Sequence, residues 1–142
     1  EYTKECLDLI EELKLKENFK LMGTRSDSHL IFPEGDLSIL TSISEGFPYT
    51  VIESMSCGVP VVATDVGGVN EALDENSGFV CKPKDYEEIG KRVIELLQNE
   101  ELRFKMGAHA RKRVVENFTL KNFIEQYEEV YHQVNQTNTS DR

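Results

Sequence analysis

Residues Leu40–Leu73 read LTSISEGFPYTVIESMSCGVPVVATDVGGVNEAL, and their alternation of apolar runs with turn residues decides the fold. Just before them, Leu37–Leu40 is short and apolar, as in a strand covered on both faces. Ser42–Pro48 is rich in small residues and closed by Pro48, hence a loop. Thr50–Met55 carries Val51, Ile52 and Met55 at helical spacing, and Gly58 is a helix stop. Val59–Thr64 reads as a buried strand, and Gly67-Gly68 turns the chain toward a short helix holding Glu71. The Thr50 helix therefore starts after a loop at the carboxyl end of a strand. In open parallel sheets ligands sit there, and the unpaired N–H groups of a helix start favour a phosphate.

Two carboxylates, Glu45 and Glu53, flank the Gly-Phe-Pro turn. Each also has a plain structural reading. Thr50-Val51-Ile52-Glu53 has the form of a capping box, in which Thr50 and Glu53 satisfy each other's end of the helix. Glu45 alone would be a solvated loop acid.

The larger pattern goes further. EGFPYTVIE followed by SMSCGVPVVATDVGGVNEAL resembles the signature of the retaining GT-B glycosyltransferases of family four, the group 1 transferases. Their hallmark Glu-x7-Glu is matched by Glu45 and Glu53, and the resemblance runs from FKLMG at Phe19 to ENFTL around Asn117. It implies transfer of a hexose-type sugar from a nucleotide-diphosphate sugar (a UDP- or GDP-sugar) with retention of configuration and no metal or other cofactor. It also implies roles. Glu45 would be catalytic, facing the sugar near its reacting carbon, and Glu53 would bind the ribose hydroxyls. Gly46, Phe47, Pro48, Tyr49, Thr50 and Val51 would bind donor sugar and phosphate through backbone N–H groups. Pro48 has none to offer, and those of Thr50 and Val51 would hold phosphate.

The rest of the chain reads as elements of an α/β fold with a largely parallel sheet. Cys6, Leu7, Leu9, Ile10 and Leu13 mark one face of a helix over Thr3–Leu15, and Phe19–Met22 reads as a short strand ending at Gly23. Thr24–Gly35 reads as a loop with one helical turn. Thr24 and Arg25 stand at that strand's carboxyl end, where they either line a nucleotide base or are solvated loop residues. Gly78–Cys81 is a brief strand, followed by helical runs Tyr86–Leu97, Leu102–Val115 and Leu120–Val134, with Asp85 and Thr119 as N-caps. The stripe Tyr127, Val130, Tyr131 and Val134 is expected to pack against neighbouring elements. Residues 1–135 are thus expected to form a partial nucleotide-sugar-binding domain, and 136–142 a flexible tail.

The resemblance makes the fold a Rossmann-like parallel sheet with flanking helices, the C-terminal half of a GT-B fold. Such a half normally begins with two further strands, the first followed by a loop whose Arg and Lys hold the diphosphate. In the order 3-2-1-4-5-6 those strands would lie between the Phe19 and Leu37 strands. The expectation is a piece truncated at its N-terminus and inactive alone. Its glycan, lipid or other acceptor would be bound by a missing N-terminal domain, and its open strand edges would be prone to self-association.

Composition excludes several other classes. The 142 residues carry a formal net charge of −10 and a pI near 4.8, with no basic stripe for a nucleic acid. Cys6, Cys57 and Cys81 lack metal spacing, and reduced buried thiols in a cytoplasmic protein are expected. No apolar run approaches the roughly 18 residues of a membrane helix; a cytoplasmic protein is expected, with peripheral membrane association left open for the full-length enzyme. His29, His109 and His132 lack ligand spacing, and Asp-x-Asp, G-x-G-x-x-G and G-x-S-x-G are absent. Two other functions remain open: a non-catalytic nucleotide-sugar-binding or partner subunit, and a sugar-nucleotide epimerase of the same architecture.

Overall fold

In a computed structural model the described residues are 2–140, with side chains described to residue 135. The tail expected at 136–142 falls outside the residues so described. Three parallel strands form the sheet: β1 (Ser38–Leu40), β2 (Val61–Thr64) and β3 (Gly78–Cys81), in the order β1-β2-β3. Ser38 aligns with Val61, and Val61 with Gly78. All four residues of β2 are buried, as a central strand covered on both faces requires.

The crossovers are helical. α3 (Tyr49–Ser56) joins β1 to β2, and the single turn α4 (Val69–Ala72) joins β2 to β3. Ahead of the sheet lie α1 (Tyr2–Glu12) and α2 (Ser28–Ile31), the latter continued by a 3-10 turn over Phe32–Glu34. After it come α5 (Tyr86–Gln98), α6 (Glu100–Asn117) and α7 (Leu120–Ser140). Asp85 caps α5 by accepting from the Glu88 N–H (3.1 Å), and the Thr119 hydroxyl accepts from the Asn122 N–H (3.2 Å) at the start of α7. α6 begins earlier than its apolar residues indicate, because Asn99 accepts from the Leu102 N–H at 3.0 Å.

The side-chain alternation of β2 divides the core. Val61 and Ala63 pack with Val51 and Met55 of α3, Val69 and Ala72 of α4, and Ala110 and Val114 of α6. Val62 packs with Cys81, Leu96 of α5 and Met106 of α6. α6 therefore serves both faces. It approaches α3 so closely that a Cβ on Gly107 would lie 2.0 Å from the Gly58 carbonyl oxygen. Gly58 itself has φ +76, the left-handed conformation of a residue just past a helix end.

Several expectations are corrected. Phe19–Met22 forms no strand and lies exposed, because a strand needs a partner edge for its N–H and C=O groups and this segment does not reach β1. α1 ends at Glu12 rather than Leu15 and buries none of its residues. The stripe on α7 faces outward as well, with Tyr127, Val130, Tyr131 and Val134 all more than half exposed. Cys81 is buried, Cys57 is half-buried and Cys6 is exposed.

α6 also grips the loop after α4. The Asp74 carboxylate accepts from the Ser77 hydroxyl (2.6 Å) and the Asn76 N–H (3.1 Å), and lies 3.1 Å from His109 Nε2 on α6. Burial pushes the Asp74 carboxyl up, but hydrogen bonds from Ser77, His109 and the Asn76 backbone outweigh it and hold it below its ordinary 3.8. A depressed carboxyl contributes stability above its unfolded value and loses it as pH falls through the folded one. Stability should therefore drop as pH is lowered from about 4 downward, and Asp74→Asn should flatten that limb in denaturant melts taken across pH. At the α3–α6 contact, Gly107→Ala should cost about 1–3 kcal/mol of unfolding free energy, because the helices must separate to admit the methyl group. An unchanged denaturation midpoint would contradict the close approach.

Candidate active site

The loop leaving β1 is fixed by its neighbour in the sheet. The buried Thr64 hydroxyl at the end of β2 donates to the Ser42 carbonyl at 2.5 Å and lies 3.4 Å from that of Leu40. Ser42 in turn donates its side-chain hydroxyl to Glu45 Oε1 at 2.5 Å. The Glu45 carboxylate thus stands over the carboxyl end of the sheet, held from below by a chain of hydroxyls.

The turn after β2 closes on the same loop. The Gly68 N–H donates to the Gly46 carbonyl at 2.6 Å. Gly67 has φ +51, and a Cβ there would sit 2.0 Å from the Glu45 carbonyl oxygen. A Cβ on Gly68 would meet the Phe47 ring at 2.7 Å. No side chain fits at either position while the two loops touch. Phe47 turns away from the sheet edge, packing its ring against Phe118 (centroids 5.8 Å) and edge-on to Tyr49 (6.2 Å).

α3 starts at Tyr49, with the buried Pro48 at the N-cap position and no side chain capping it. The capping box that Thr50 and Glu53 resemble does not form: Thr50 lies inside the first turn, two residues past the N-cap position. Val51 donates its N–H to the Pro48 carbonyl at 3.1 Å, so of the two N–H groups expected to face a phosphate this one already has a partner. Val51, Ser54 and Met55 face the core, which leaves Thr50 and Glu53 on the exposed side. The helix is seated by a hydroxyl pair, half-buried Ser38 with buried Ser54. Ser38 of β1 donates to Ser54 Oγ (2.8 Å), and Ser54 donates to the Val59 carbonyl (3.2 Å).

Glu53 instead accepts from the Ser28 hydroxyl at 3.1 Å. That contact brings the loop carrying Thr24 and Arg25 toward the Glu53 side of α3. Arg25 pairs with Asp27 through both Nε (2.7 Å) and a terminal nitrogen (2.5 Å), which raises the guanidinium pKa and lowers the carboxyl's. Thr24 is exposed beside it. Ser28 has no sequence signal to mark it, since nothing in SDSHLI points to a carboxylate 25 residues away.

A groove of about 760 Å³ opens beside the loop, lined among others by Phe47, Tyr49, Glu71, Arg113, Phe118 and Phe123. Glu71 is legible in the sequence as a carboxylate just after the Gly67-Gly68 turn, whereas Arg113 and Phe118 sit within an ordinary helical run and its end, where nothing marks them. Among the described residues no group of three or more His, Cys, Asp or Glu side chains is placed to hold a metal ion. None of the helices among them is long and apolar enough to cross a membrane.

Known proteins share this arrangement. The chain is 33% identical over 129 residues to N-acetyl-alpha-D-glucosaminyl L-malate synthase of Bacillus anthracis, covering 90% of this chain and 34% of that protein. It is 35% identical over 128 residues to trehalose synthase of Pyrococcus horikoshii, covering 89% of this chain and 30% of the relative. It therefore spans about a third of the length of these curated relatives. Among solved structures, HepE from Anabaena in complex with UDP superimposes with a TM-score of 0.88 at 26% identity, covering 93% of this chain and 37% of that one. Sucrose-phosphate synthase from Thermosynechococcus elongatus shares the fold, with a TM-score of 0.85 at 23% identity, covering 94% of this chain and 34% of that one. The model of the glycosyl transferases group 1 family matches residues 1–113, and the chain, with its three-stranded parallel sheet and Glu45–Glu53 pair, belongs to that family.

Proposed function

We propose that this chain is the donor-binding portion of a glycosyltransferase that moves a hexose-type sugar from a UDP- or GDP-sugar to an acceptor, with retention of configuration. The observation that carries the reading is the placement of the two acids on either side of an uncapped helix start. Glu45 stands on a braced loop at the carboxyl end of β1, and Glu53 on the exposed face of α3, with the first N–H groups of α3 between them. A nucleotide diphosphate sugar fits that sequence of groups: ribose at Glu53, phosphate at the helix start, sugar at Glu45. The family and the HepE structures with UDP and with UDP-glucose support a nucleotide-sugar donor, though not the role of any one residue.

In this scheme Glu45 steadies the positive charge that develops at the reacting sugar carbon, and the leaving phosphate assists attack from its own face. Backbone N–H groups of Gly46, Phe47 and Tyr49 meet sugar hydroxyls, and Pro48 shapes the turn without donating. The Thr50 N–H takes the phosphate, with Val51 sharing its own between phosphate and the Pro48 carbonyl. Ser28 keeps the Glu53 carboxylate oriented until ribose hydroxyls replace it. Thr24 and Arg25 border the base. The acceptor, a glycan or lipid, is held by parts of a longer protein. Further strands of that protein, or a second copy of the chain, pair with the outer edge of β1.

The test uses the longest reading frame that contains this chain. Glu45→Ala should lower turnover about a hundredfold while UDP or GDP affinity stays nearly constant, because its partner charge appears only in the transition state. Glu53→Ala should weaken nucleotide binding about tenfold in isothermal titration, since ribose contacts precede and outlast the reaction. Its melting temperature should not move, because the Ser28 contact is exposed. A Glu53→Ala protein that melts earlier yet binds nucleotide normally would return Glu53 to a structural role. Tight nucleotide binding without any sugar transfer would instead identify a non-catalytic donor-binding subunit.

A further inference from the structure

We infer that Arg113, on α6, is a positioning residue for the Glu45 loop and acts through α4. The inference rests on the donor-site reading above and adds a residue to it. α4 is a single turn, so its last carbonyls have no partner within the helix. One guanidinium supplies them. Arg113 donates through Nε to the Ala72 carbonyl (2.8 Å) and through a terminal nitrogen to that of Glu71 (2.9 Å). Its other terminal nitrogen lies 3.4 Å from Asp74 Oδ2, a carboxylate that Ser77 and His109 already orient. The group is half-buried and sits over the Phe118 ring, 5.7 Å from its centroid.

The other end of α4 is the Gly67-Gly68 turn. There the Gly68 N–H meets the Gly46 carbonyl at 2.6 Å, and Gly67 lies directly against the Glu45 backbone. α4 thus works as a short rod between Arg113 and the loop that carries Glu45. If the guanidinium is removed, the carboxyl end of the rod loses three contacts and the turn can shift against Gly46. A shift of about 1 Å at a reacting group is enough to cost orders of magnitude in rate.

Glu53 lies one contact further along: Val69 and Ala72 of α4 pack against Val51 and Met55 of α3, but α3 is held from other sides as well. α3 is seated by Ser38, Ser54 and the buried Val51 and Met55, and its end is held to α6 by Arg111, which donates to the Ser56 carbonyl at 2.7 Å. Arg113 should therefore support the sugar end of the site and leave the nucleotide end alone. A residue that merely stabilised the domain would affect both ends together. Lysine cannot replace the fork, because one ammonium on a flexible stem cannot meet two carbonyls and a carboxylate in one plane.

The experiment measures turnover of the longest reading frame, with the sugar nucleotide that the wild-type protein uses, beside UDP titration of the same preparations. Arg113→Ala should lower kcat about a hundredfold, and Arg113→Lys about tenfold, with the UDP Kd within about twofold of wild type in both. The UDP titration also reports whether each variant is folded. In a Glu45→Gln background, Arg113→Lys should produce no further loss, since it acts through a group already disabled. Unchanged kcat in both variants would overturn the inference. So would parallel losses of kcat and UDP affinity, or full additivity with Glu45→Gln. A wild-type protein that neither binds UDP or GDP nor turns over any sugar nucleotide would overturn the donor-site reading and this inference with it. An active wild type with indifferent Arg113 variants would overturn only this one.

Discussion

The contact between the Gly67-Gly68 turn and the Glu45–Phe47 backbone is the constraint on which the site depends. It joins loops from adjacent strands at the carboxyl edge of the sheet, backbone against backbone, with the Gly68 N–H 2.6 Å from the Gly46 carbonyl. The spacing leaves no room for a β-carbon on either glycine. Because the loop is held by its main chain, its side chains diverge to separate tasks. Glu45 turns to the Ser42 hydroxyl, and Phe47 turns to Phe118 and the groove. A loop held only by its side chains would have to use one of these residues for anchorage.

Rigidity around that contact comes largely from α6, an element late in the chain and outside the signature. Its Gly107 meets Gly58 at the end of α3, Arg111 takes the Ser56 carbonyl, His109 reaches Asp74, and Arg113 takes the last carbonyls of α4. Both crossover helices of the sheet are thus fastened to one long helix. Helix ends are rich in unpaired carbonyls, and α6 meets three such ends with guanidinium groups, including that of α5, where Arg103 donates to the carbonyls of Leu96 and Leu97.

The polar contacts beneath the site are short hydroxyl relays rather than ion pairs. Thr64 to Ser42, Ser42 to Glu45, and Ser38 to Ser54 each satisfy a buried or half-buried group without introducing a second charge. No buried side-chain polar atom among the described residues lacks a partner. At Glu45 the bracing partner is the neutral Ser42 hydroxyl rather than a cation.

By itself the sequence determined the strand-loop-helix-strand unit, its parallel order and the family. The unit and its order follow from local rules: the apolar run of β2, the stop at Gly58, the caps at Asp85 and Thr119 and the small residues of the two loops. The family follows from the resemblance of EGFPYTVIE and SMSCGVPVVATDVGGVNEAL to its signature. The sequence also singled out Glu45 and Glu53 as candidates, through the resemblance of the whole EGFPYTVIE stretch to the family signature rather than through their spacing alone. Only the tertiary structure decided what each does locally. Thr50 and Glu53 look like a capping box, yet α3 starts at Tyr49 because Pro48 takes the N-cap position, and Glu53 meets Ser28 instead. Phe19–Met22 has the composition of a strand, but a strand exists only where a second edge supplies its hydrogen bonds. The stripes of α1 and α7 show that a face is apolar without showing what covers it. Arg113 was illegible for the same reason: its partners are carbonyls, which every residue possesses, and their position depends on the path of the chain rather than on any side chain.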